Sequence, residues 1–114
     1  MLRRLTALCM VIAALTAVIS AQAGRVSHSW ASWYGPGLYG NNLACGGHLT
    51  TSTWGVAHKY LPCGTRLRMC YSRCVTVTVI DRGPYVGGRD FDLTYPVKQA
   101  IGMPSVGLVS WYQR

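Results

Sequence analysis

Short apolar segments, each interrupted by glycine or proline, constrain the fold of this chain more than any other feature. Side chains alternate between apolar and polar at the period of a strand, and no useful helical period appears before Pro96. The pattern predicts strands at residues 29–34, 65–70, 74–80, 91–93 and 107–112, and one helical turn at 97–101 closed by Gly102. It also predicts a long irregular region at residues 35–64. We therefore expect a small all-β domain, a barrel or a sandwich.

Residues 1–23 have the organisation of a secretory signal peptide. Two arginines supply the positive start, residues 5–19 form an apolar run without a charge, and an Ala-Gln-Ala sequence ends at Ala23. Cys9 lies inside the apolar run, so we interpret it as apolar filler and not as a lipid-anchor site. We therefore predict an exported protein without a stable membrane anchor, whose folded domain comprises residues 24–114.

Four cysteines follow the predicted signal peptide, at Cys45, Cys63, Cys70 and Cys74. An even number of cysteines in a small secreted domain indicates two disulfides, with three possible connectivities. Cys70 and Cys74 flank a loop of hairpin length, so we pair them, which leaves Cys45 with Cys63. A zinc site is the rival interpretation, but export and the absence of a Cys-x-x-Cys spacing disfavour it.

The predicted domain is strongly basic. Residues 24–114 contain nine lysines and arginines against three aspartates, and no two basic residues are adjacent. A positive charge of this size attracts polyanions and says little about fold. Because the basic residues are scattered, we expect a general attraction to an anionic cell-wall surface and not a dedicated nucleic-acid footprint. We expect the domain to be a monomer.

All acidic side chains of the chain lie within one stretch of twelve residues, at Asp81, Asp90 and Asp92, and there is no glutamate. Any acid or base chemistry by a side-chain carboxyl must therefore use this stretch. Asp81 ends the clearest predicted strand and precedes an Arg-Gly-Pro turn, which is a common placement for a catalytic carboxylate. The alternative is an aspartate that caps its own turn. Asp92 lies between Phe91 and Leu93, so in a strand it points away from both.

Histidine and aromatic side chains supply the remaining candidates. His58 is either a positioning group in a cleft or, more ordinarily, a structural hydrogen-bonding residue. Trp33 and Tyr34 run directly into a glycine-containing loop, where an aromatic pair can line a shallow cleft and stack on sugar rings; the alternative is packing in the core. The histidines have no carboxylate at ligand spacing, so we expect no metal and no cofactor.

Four motifs in order resemble the RlpA-like (rare lipoprotein A) domain over residues 30–112. They are Ala-Ser-Trp-Tyr-Gly at 31–35, the Gly-Val-Ala-His segment at 55–65, Asp-Arg-Gly-Pro-Tyr at 81–85, and Gly-Arg-Asp-Phe-Asp-Leu-Thr at 88–94. The resemblance implies a six-stranded double-psi β-barrel, the fold of expansins, barwin-type proteins and family 45 endoglucanases. It also implies a bacterial or bacteriophage protein that acts on peptidoglycan in the cell wall or periplasm.

The activity implied by this resemblance is that of a lytic transglycosylase, a lyase that cleaves glycan strands and leaves 1,6-anhydro ends. It implies a catalytic set and a substrate-binding set, respectively Asp81, Asp92 and His58, and Trp33, Tyr34, Arg82 and Tyr85. The family commonly has a glutamate in its first long loop, where this chain has Gly47. This departure favours an alternative, an expansin-like module that binds peptidoglycan or another polysaccharide without cleaving it. A barwin-like defence or inhibitor protein is a third possibility.

The distance between Asp81 and Asp92 decides which chemistry is available. Carboxyl groups about 5–5.5 Å apart form a retaining pair, and groups about 6.5–9.5 Å apart form an inverting pair. If Asp81 alone faces the groove, only a route that uses the substrate's own 6-hydroxyl remains. We expect His58 and the pair Trp33 and Tyr34 to line the same groove as Asp81.

Overall fold

A computed structural model describes residues 25–114 of the 114-residue chain, so the signal peptide predicted at residues 1–23 lies outside the described residues. The described part contains six strands and one helix. They are β1 (Ser27–Trp33), β2 (Val56–His58), β3 (Arg66–Cys70), β4 (Cys74–Asp81), β5 (Phe91–Leu93), α1 (Tyr95–Ile101) and β6 (Gly107–Gln113).

The six strands form a closed barrel in the order β1-β5-β2-β4-β3-β6. Strand β1 pairs parallel to β5 and β2 pairs parallel to β4, whereas the remaining neighbours are antiparallel. Each parallel pair joins strands that are distant in sequence, so the chain crosses the barrel between them. The prediction of a small six-stranded all-β barrel is confirmed.

Alternating side chains fill the inside of the barrel. Strand β4 shows the pattern most clearly, because Val77 and Val79 are buried while the residues between and beside them are only partly covered. A fully buried Val, Leu or Phe side chain stabilises the fold by about 1.5–3 kcal/mol relative to an exposed one. The core cluster comprises Ala31, Val56, Leu67, Met69, Val77, Val79, Phe91, Leu93, Val97, Ile101, Met103 and Val109.

Strand β2 is the element that the sequence pattern does not predict. Residues 35–64 were expected to be irregular, yet Val56–His58 forms a strand that pairs with β5 on one side and β4 on the other. Three residues are too few to show a period of two. The strand forms because both of its edges find hydrogen-bonding partners in the barrel, which is decided by tertiary structure.

Both predicted disulfides are confirmed. Cys70 and Cys74 close the turn between β3 and β4, and Cys45 is bonded to Cys63 between two loops. All four cysteines of the described chain are therefore paired with one another, which removes the zinc interpretation. A cross-link matters in a domain of this size, because a chain of about 90 residues buries a limited fraction of its surface.

Helix α1 covers one side of the barrel. It begins at Tyr95 with Pro96 in its first turn and ends before Gly102, whose φ of 72° is the left-handed conformation of a helix C-cap. The predicted turn at residues 97–101 is confirmed and extends two residues further towards the N-terminus. Val97 and Ile101 are buried against the core. In residues 25–114 there is no helix with the length and apolar character needed to cross a membrane.

Candidate active site

A β-bulge directs the Asp81 side chain away from the core. Val56 of β2 pairs with Val79 of β4, but the next residue, Ala57, pairs with Asp81, so one residue of β4 is skipped. Regular alternation after Val79 would have directed Asp81 into the barrel. Because of the bulge, the Asp81 side chain lies on the same face of the sheet as that of Ala57. Ala57 packs in a second apolar cluster, outside the barrel core. Bulges commonly re-aim a side chain next to a functional site.

Two hydrogen-bond donors orient the Asp81 carboxylate, one on each oxygen. The Tyr34 hydroxyl donates to Oδ2 at 2.7 Å, and the backbone N–H of Ala44 donates to Oδ1 at 2.7 Å. The Tyr34 ring is buried beside Ala57 and Leu49. Burial, followed by the hydrogen bond to Asp81, raises the pKa of Tyr34 well above its usual range. Tyr34 therefore stays protonated and remains a donor at physiological pH.

Asp81 lines a cavity of about 450 Å³ next to the long loop between β1 and β2. The cavity lining is largely apolar and includes two asparagines, Asn41 and Asn42, together with Tyr85, which is 80% exposed. A concave surface with an apolar lining and a few polar groups is typical of a ligand site. Its lining residues are Tyr34, Leu38, Asn41, Asn42, Leu43, Leu49, Asp81 and Tyr85.

Asp92 lies on the same outer face as Asp81 but does not line the cavity. Its Oδ1 accepts a hydrogen bond from the hydroxyl of Ser32 on β1. Ala57 pairs with Asp92 on one side and with Asp81 on the other, so β2 separates the two aspartates. Two strand spacings place their Cα atoms roughly 10 Å apart. Of the acidic side chains, only Asp81 lines the cavity.

His58 is held on the opposite face of the sheet. It pairs with the core residue Phe91, and the two ring centroids are 4.8 Å apart. Its Nδ1 accepts hydrogen bonds from the backbone N–H groups of Tyr60 and Leu61, both at 3.1 Å. Burial, with a smaller effect of Arg82, lowers the pKa of His58, although Asp90 opposes the shift. In this structure His58 organises a turn and does not reach the cavity beside Asp81.

The aromatic pair expected to line one groove is divided between two places. Trp33 pairs with the core residue Leu93 and packs against helix α1, with its ring centroid 5.6 Å from that of Tyr95 and 5.5 Å from Lys98 Nζ. Tyr34, the next residue, points to the cavity. Consecutive residues of an extended chain face opposite sides, which is the reason for the division. The expectation of a single groove for Trp33, His58 and Asp81 is thus wrong in its geometry.

The Arg82 side chain binds the backbone of the loop that follows β2. Its Nη1 donates to the carbonyl oxygens of Leu61 at 2.7 Å and His58 at 3.3 Å. Of the four residues expected to bind substrate, Tyr34 and Tyr85 line the cavity, whereas Trp33 and Arg82 do not.

The site also contains groups that sequence analysis did not single out. The Ala44 N–H is a backbone donor, and no side-chain pattern identifies such a group. The predicted pairing of Cys45 was the one available signal that this loop is held near the barrel. Gly47, at the position where the resemblance implies a glutamate, has a φ of 79° and open space around it. Residues 25–114 contain no group of three or more His, Cys, Asp or Glu side chains arranged to hold a metal ion.

Comparison with known proteins identifies the family. A family model described as lytic transglycolase matches residues 26–111. The probable endolytic peptidoglycan transglycosylase RlpA of Synechocystis sp. is 40% identical over 87 residues, which are 74% of this chain and 27% of that protein. The protein of the same description from Aquifex aeolicus is 41% identical over 83 residues, 70% of this chain and 37% of that protein. The chain thus spans about a quarter to somewhat over a third of the length of these curated relatives.

Solved structures share the fold at lower identity. An apo expansin of Clavibacter michiganensis aligns with a TM-score of 0.62 and 22% identity over 79% of this chain and 50% of the expansin. A Streptomyces papain inhibitor aligns with a TM-score of 0.60 and 20% identity over 79% of this chain and 94% of the inhibitor. These likenesses concern the fold alone, and together with the strand order they confirm the predicted double-psi β-barrel. On the family match and the 40–41% identities, this chain belongs to the RlpA-like lytic transglycosylase family.

Proposed function

We propose that this domain cleaves the glycan strands of peptidoglycan as an endolytic lytic transglycosylase, with Asp81 as the catalytic acid and base. The observation that carries the proposal is the environment of Asp81. It is the single side-chain carboxylate in a cavity of about 450 Å³, and one donor orients each of its oxygens. The names of the curated relatives as endolytic peptidoglycan transglycosylases support the same activity.

A single reacting carboxylate favours cleavage without water. Glycosidases that use water need a second carboxyl group as nucleophile or base. Asp92 is bonded to Ser32 and lies across β2 from Asp81, which argues against that second role. In the proposed reaction, Asp81 gives its proton to the glycosidic oxygen as the bond to C1 breaks. The sugar's 6-hydroxyl then bonds to C1 and returns its proton to Asp81, which leaves a 1,6-anhydro end.

The cavity suggests how the glycan is held. Tyr85 presents an exposed aromatic face, which suits stacking against a sugar ring, and Asn41 and Asn42 offer amides to hydroxyl or acetamido groups. Tyr34 orients Asp81 through the hydrogen bond that its hydroxyl donates. Because peptidoglycan lies outside the cytoplasm and disulfides persist in oxidising compartments, we propose that the protein acts in the cell wall or periplasm. That it acts there as a monomer stays a prediction. Its net positive charge favours attraction to that anionic surface.

The test is a cleavage assay on purified sacculi, with and without stem peptides. The protein, with both disulfides verified by intact mass, should release fragments with 1,6-anhydro ends that mass spectrometry identifies. Asp81→Asn should abolish the release, while Asp90→Asn, a matched removal of one exposed carboxylate outside the cavity, should retain it. Release of hydrolysed ends only, or no release by a folded protein, contradicts the proposal.

A second candidate function is binding of the glycan without cleavage. The specific observation in its favour is Gly47, which leaves the first long loop without the glutamate that the family commonly has there. Sedimentation of the protein with insoluble peptidoglycan separates the two functions when it is combined with the cleavage assay. Binding by both wild type and Asp81→Asn, with no fragments released by either, establishes the second function in place of the first.

A further inference from the structure

We infer that the Cys45–Cys63 disulfide acts as a positioning device for Asp81, because it holds the Ala44 N–H against one carboxylate oxygen. The inference concerns the geometry of Asp81, and it rests on the proposed function only where its consequence for catalysis is stated. Ala44 immediately precedes Cys45, and its N–H donates to Asp81 Oδ1 at 2.7 Å. The disulfide bond and the hydrogen bond are therefore held by adjacent residues.

On the side before Ala44, the Leu43 side chain packs against the apolar cluster that contains Tyr34, whereas on the side after it few attachments to the barrel accompany the disulfide. The Cys45 N–H donates to the carbonyl oxygen of Ile80 at 3.2 Å, whereas Leu43 and Gly46 bond within the loop, to Gly47 and Leu43 respectively. Ala44, Gly46 and Gly47 are exposed. Ordering an exposed, glycine-containing segment costs at least as much free energy per residue as one exposed hydrogen bond returns. A covalent link reduces this cost, since it limits the loop before the hydrogen bonds form.

The other half of the disulfide is attached firmly to the strand that carries Asp81. Next to Cys63, the Gly64 N–H donates to the carbonyl oxygen of Val79 at 2.9 Å. The Arg82 guanidinium bonds the Leu61 carbonyl oxygen at 2.7 Å and approaches Cys63 Sγ at 3.6 Å. Cys63 thus lies on a segment that is bonded to Val79 of β4, two residues before Asp81, and to Arg82, directly after it.

The residues that flank Asp81 therefore hold the two ends of the same disulfide. Ile80 accepts the hydrogen bond from Cys45, and Arg82 contacts the segment that ends at Cys63. When the Cys45–Cys63 bond forms, the Ala44 N–H is brought to Asp81 Oδ1. The Tyr34 hydroxyl donates to the other oxygen, Oδ2.

The consequence for Asp81 follows from its two donors. Without the disulfide, the Ala44 N–H is free to leave and only Tyr34 orients the carboxylate, which can then rotate. A misplacement of a catalytic group by about 1 Å costs about 100-fold in rate. We therefore expect kcat on sacculi to fall at least tenfold when the disulfide is removed, and to change more than KM does.

The decisive measurement uses NMR and does not depend on cleavage. In wild type, the Ala44 amide should exchange slowly with solvent, and its proton shift should follow the ionisation of a neighbouring carboxylate. Asp81→Asn should remove that pH-dependent shift. In Cys45→Ser with Cys63→Ser, we expect protection of the Ala44 amide to fall at least tenfold, with the pH-dependent shift lost. The backbone amide of the core residue Val77 should remain protected from exchange with solvent.

A matched control is available within the chain. Cys70→Ser with Cys74→Ser removes one disulfide of the same domain, at the β3–β4 turn, and should leave the Ala44 amide protected and cleavage within twofold of wild type. Retained protection of Ala44 in the Cys45→Ser, Cys63→Ser variant, with an intact core, overturns the inference. Loss of protection in a protein that never cleaves glycan supports the inference and rejects the proposed function.

A second variant covers the case in which the double variant does not fold. Because proline has no amide hydrogen, Ala44→Pro removes the same N–H donor. Both cysteines of the disulfide are kept in this variant. We expect the carboxyl ¹³C signal of Asp81 to move and kcat to fall. The signal is resolvable because the chain has three aspartates and no glutamate. An Asp81 signal unchanged from wild type overturns the inference.

Discussion

The hydrogen bond between Tyr34 and Asp81 is the contact whose removal tests the site most directly. Tyr34→Phe keeps the buried ring, which is 8% exposed, and deletes only the hydroxyl that lies 2.7 Å from Asp81 Oδ2. A hydrogen bond to a charged group contributes about 1.5–3 kcal/mol. Asp81 is partly exposed, so water replaces some of the lost bond, and we expect the free energy of unfolding to fall by about 1–2 kcal/mol.

The assay is urea denaturation at constant pH, with the m-value checked for each variant. For a domain of this size, the expected loss lowers Tm by about 4–16 °C. In the sacculus assay, kcat should fall about 10- to 100-fold with little change in KM, since the apolar lining is kept.

A double-mutant cycle separates the contact from indirect effects. Tyr34→Phe and Asp81→Ala are compared singly and together, and the coupling free energy should be about 1 kcal/mol or more. Trp33→Phe is the control, because its ring packs against Tyr95 on helix α1 and should not couple to Asp81. A Tyr34–Asp81 coupling below about 0.3 kcal/mol, with cleavage unchanged in Tyr34→Phe, refutes the assignment of Tyr34 as a positioning residue.

Three further predictions concern stability. Removing the Cys70–Cys74 disulfide, whose cysteines are 4 residues apart, should lower the free energy of unfolding by about 2 kcal/mol, measured in urea, and no change would contradict the loop-entropy argument. Because burial lowers the pKa of His58, the unfolded chain binds more protons below about pH 6.5. The free energy of unfolding should therefore fall as the pH drops below that value, and less so in His58→Gln. Gly55→Ala puts a Cβ 2.6 Å from the Ile80 side chain and should lower the free energy of unfolding by about 1–3 kcal/mol. Gly87→Ala, whose Cβ meets open space, should leave it unchanged.

Much of the fold could be inferred from local patterns. Alternating side chains identified β4 because its valines fill one face over eight residues, and Pro96 and Gly102 marked the ends of helix α1. Local patterns do not identify β2, because its three residues are too few to show a period. That strand exists because β4 and β5 pair with both of its edges, and the pairing partners lie more than twenty residues away in sequence.

The position of the carboxylate that lines the cavity could also be narrowed from composition, because the chain has three acidic side chains and all lie in one stretch. Composition could not choose between Asp81 and Asp92. The choice depends on the bulge opposite Ala57, which directs Asp81 to the cavity, and on Ser32, which engages Asp92 on another strand.

Only the tertiary structure reveals what surrounds Asp81. Its donors, Tyr34 and Ala44, are 47 and 37 residues away in sequence, and one of them is a backbone N–H that any residue except proline supplies. Local sequence reports the propensity and period of a segment, since these depend on neighbouring residues. Pairing between distant segments decides the face on which a side chain lies after a bulge. It also decides which loop a disulfide brings to that side chain. Both features are therefore fixed only when the barrel closes.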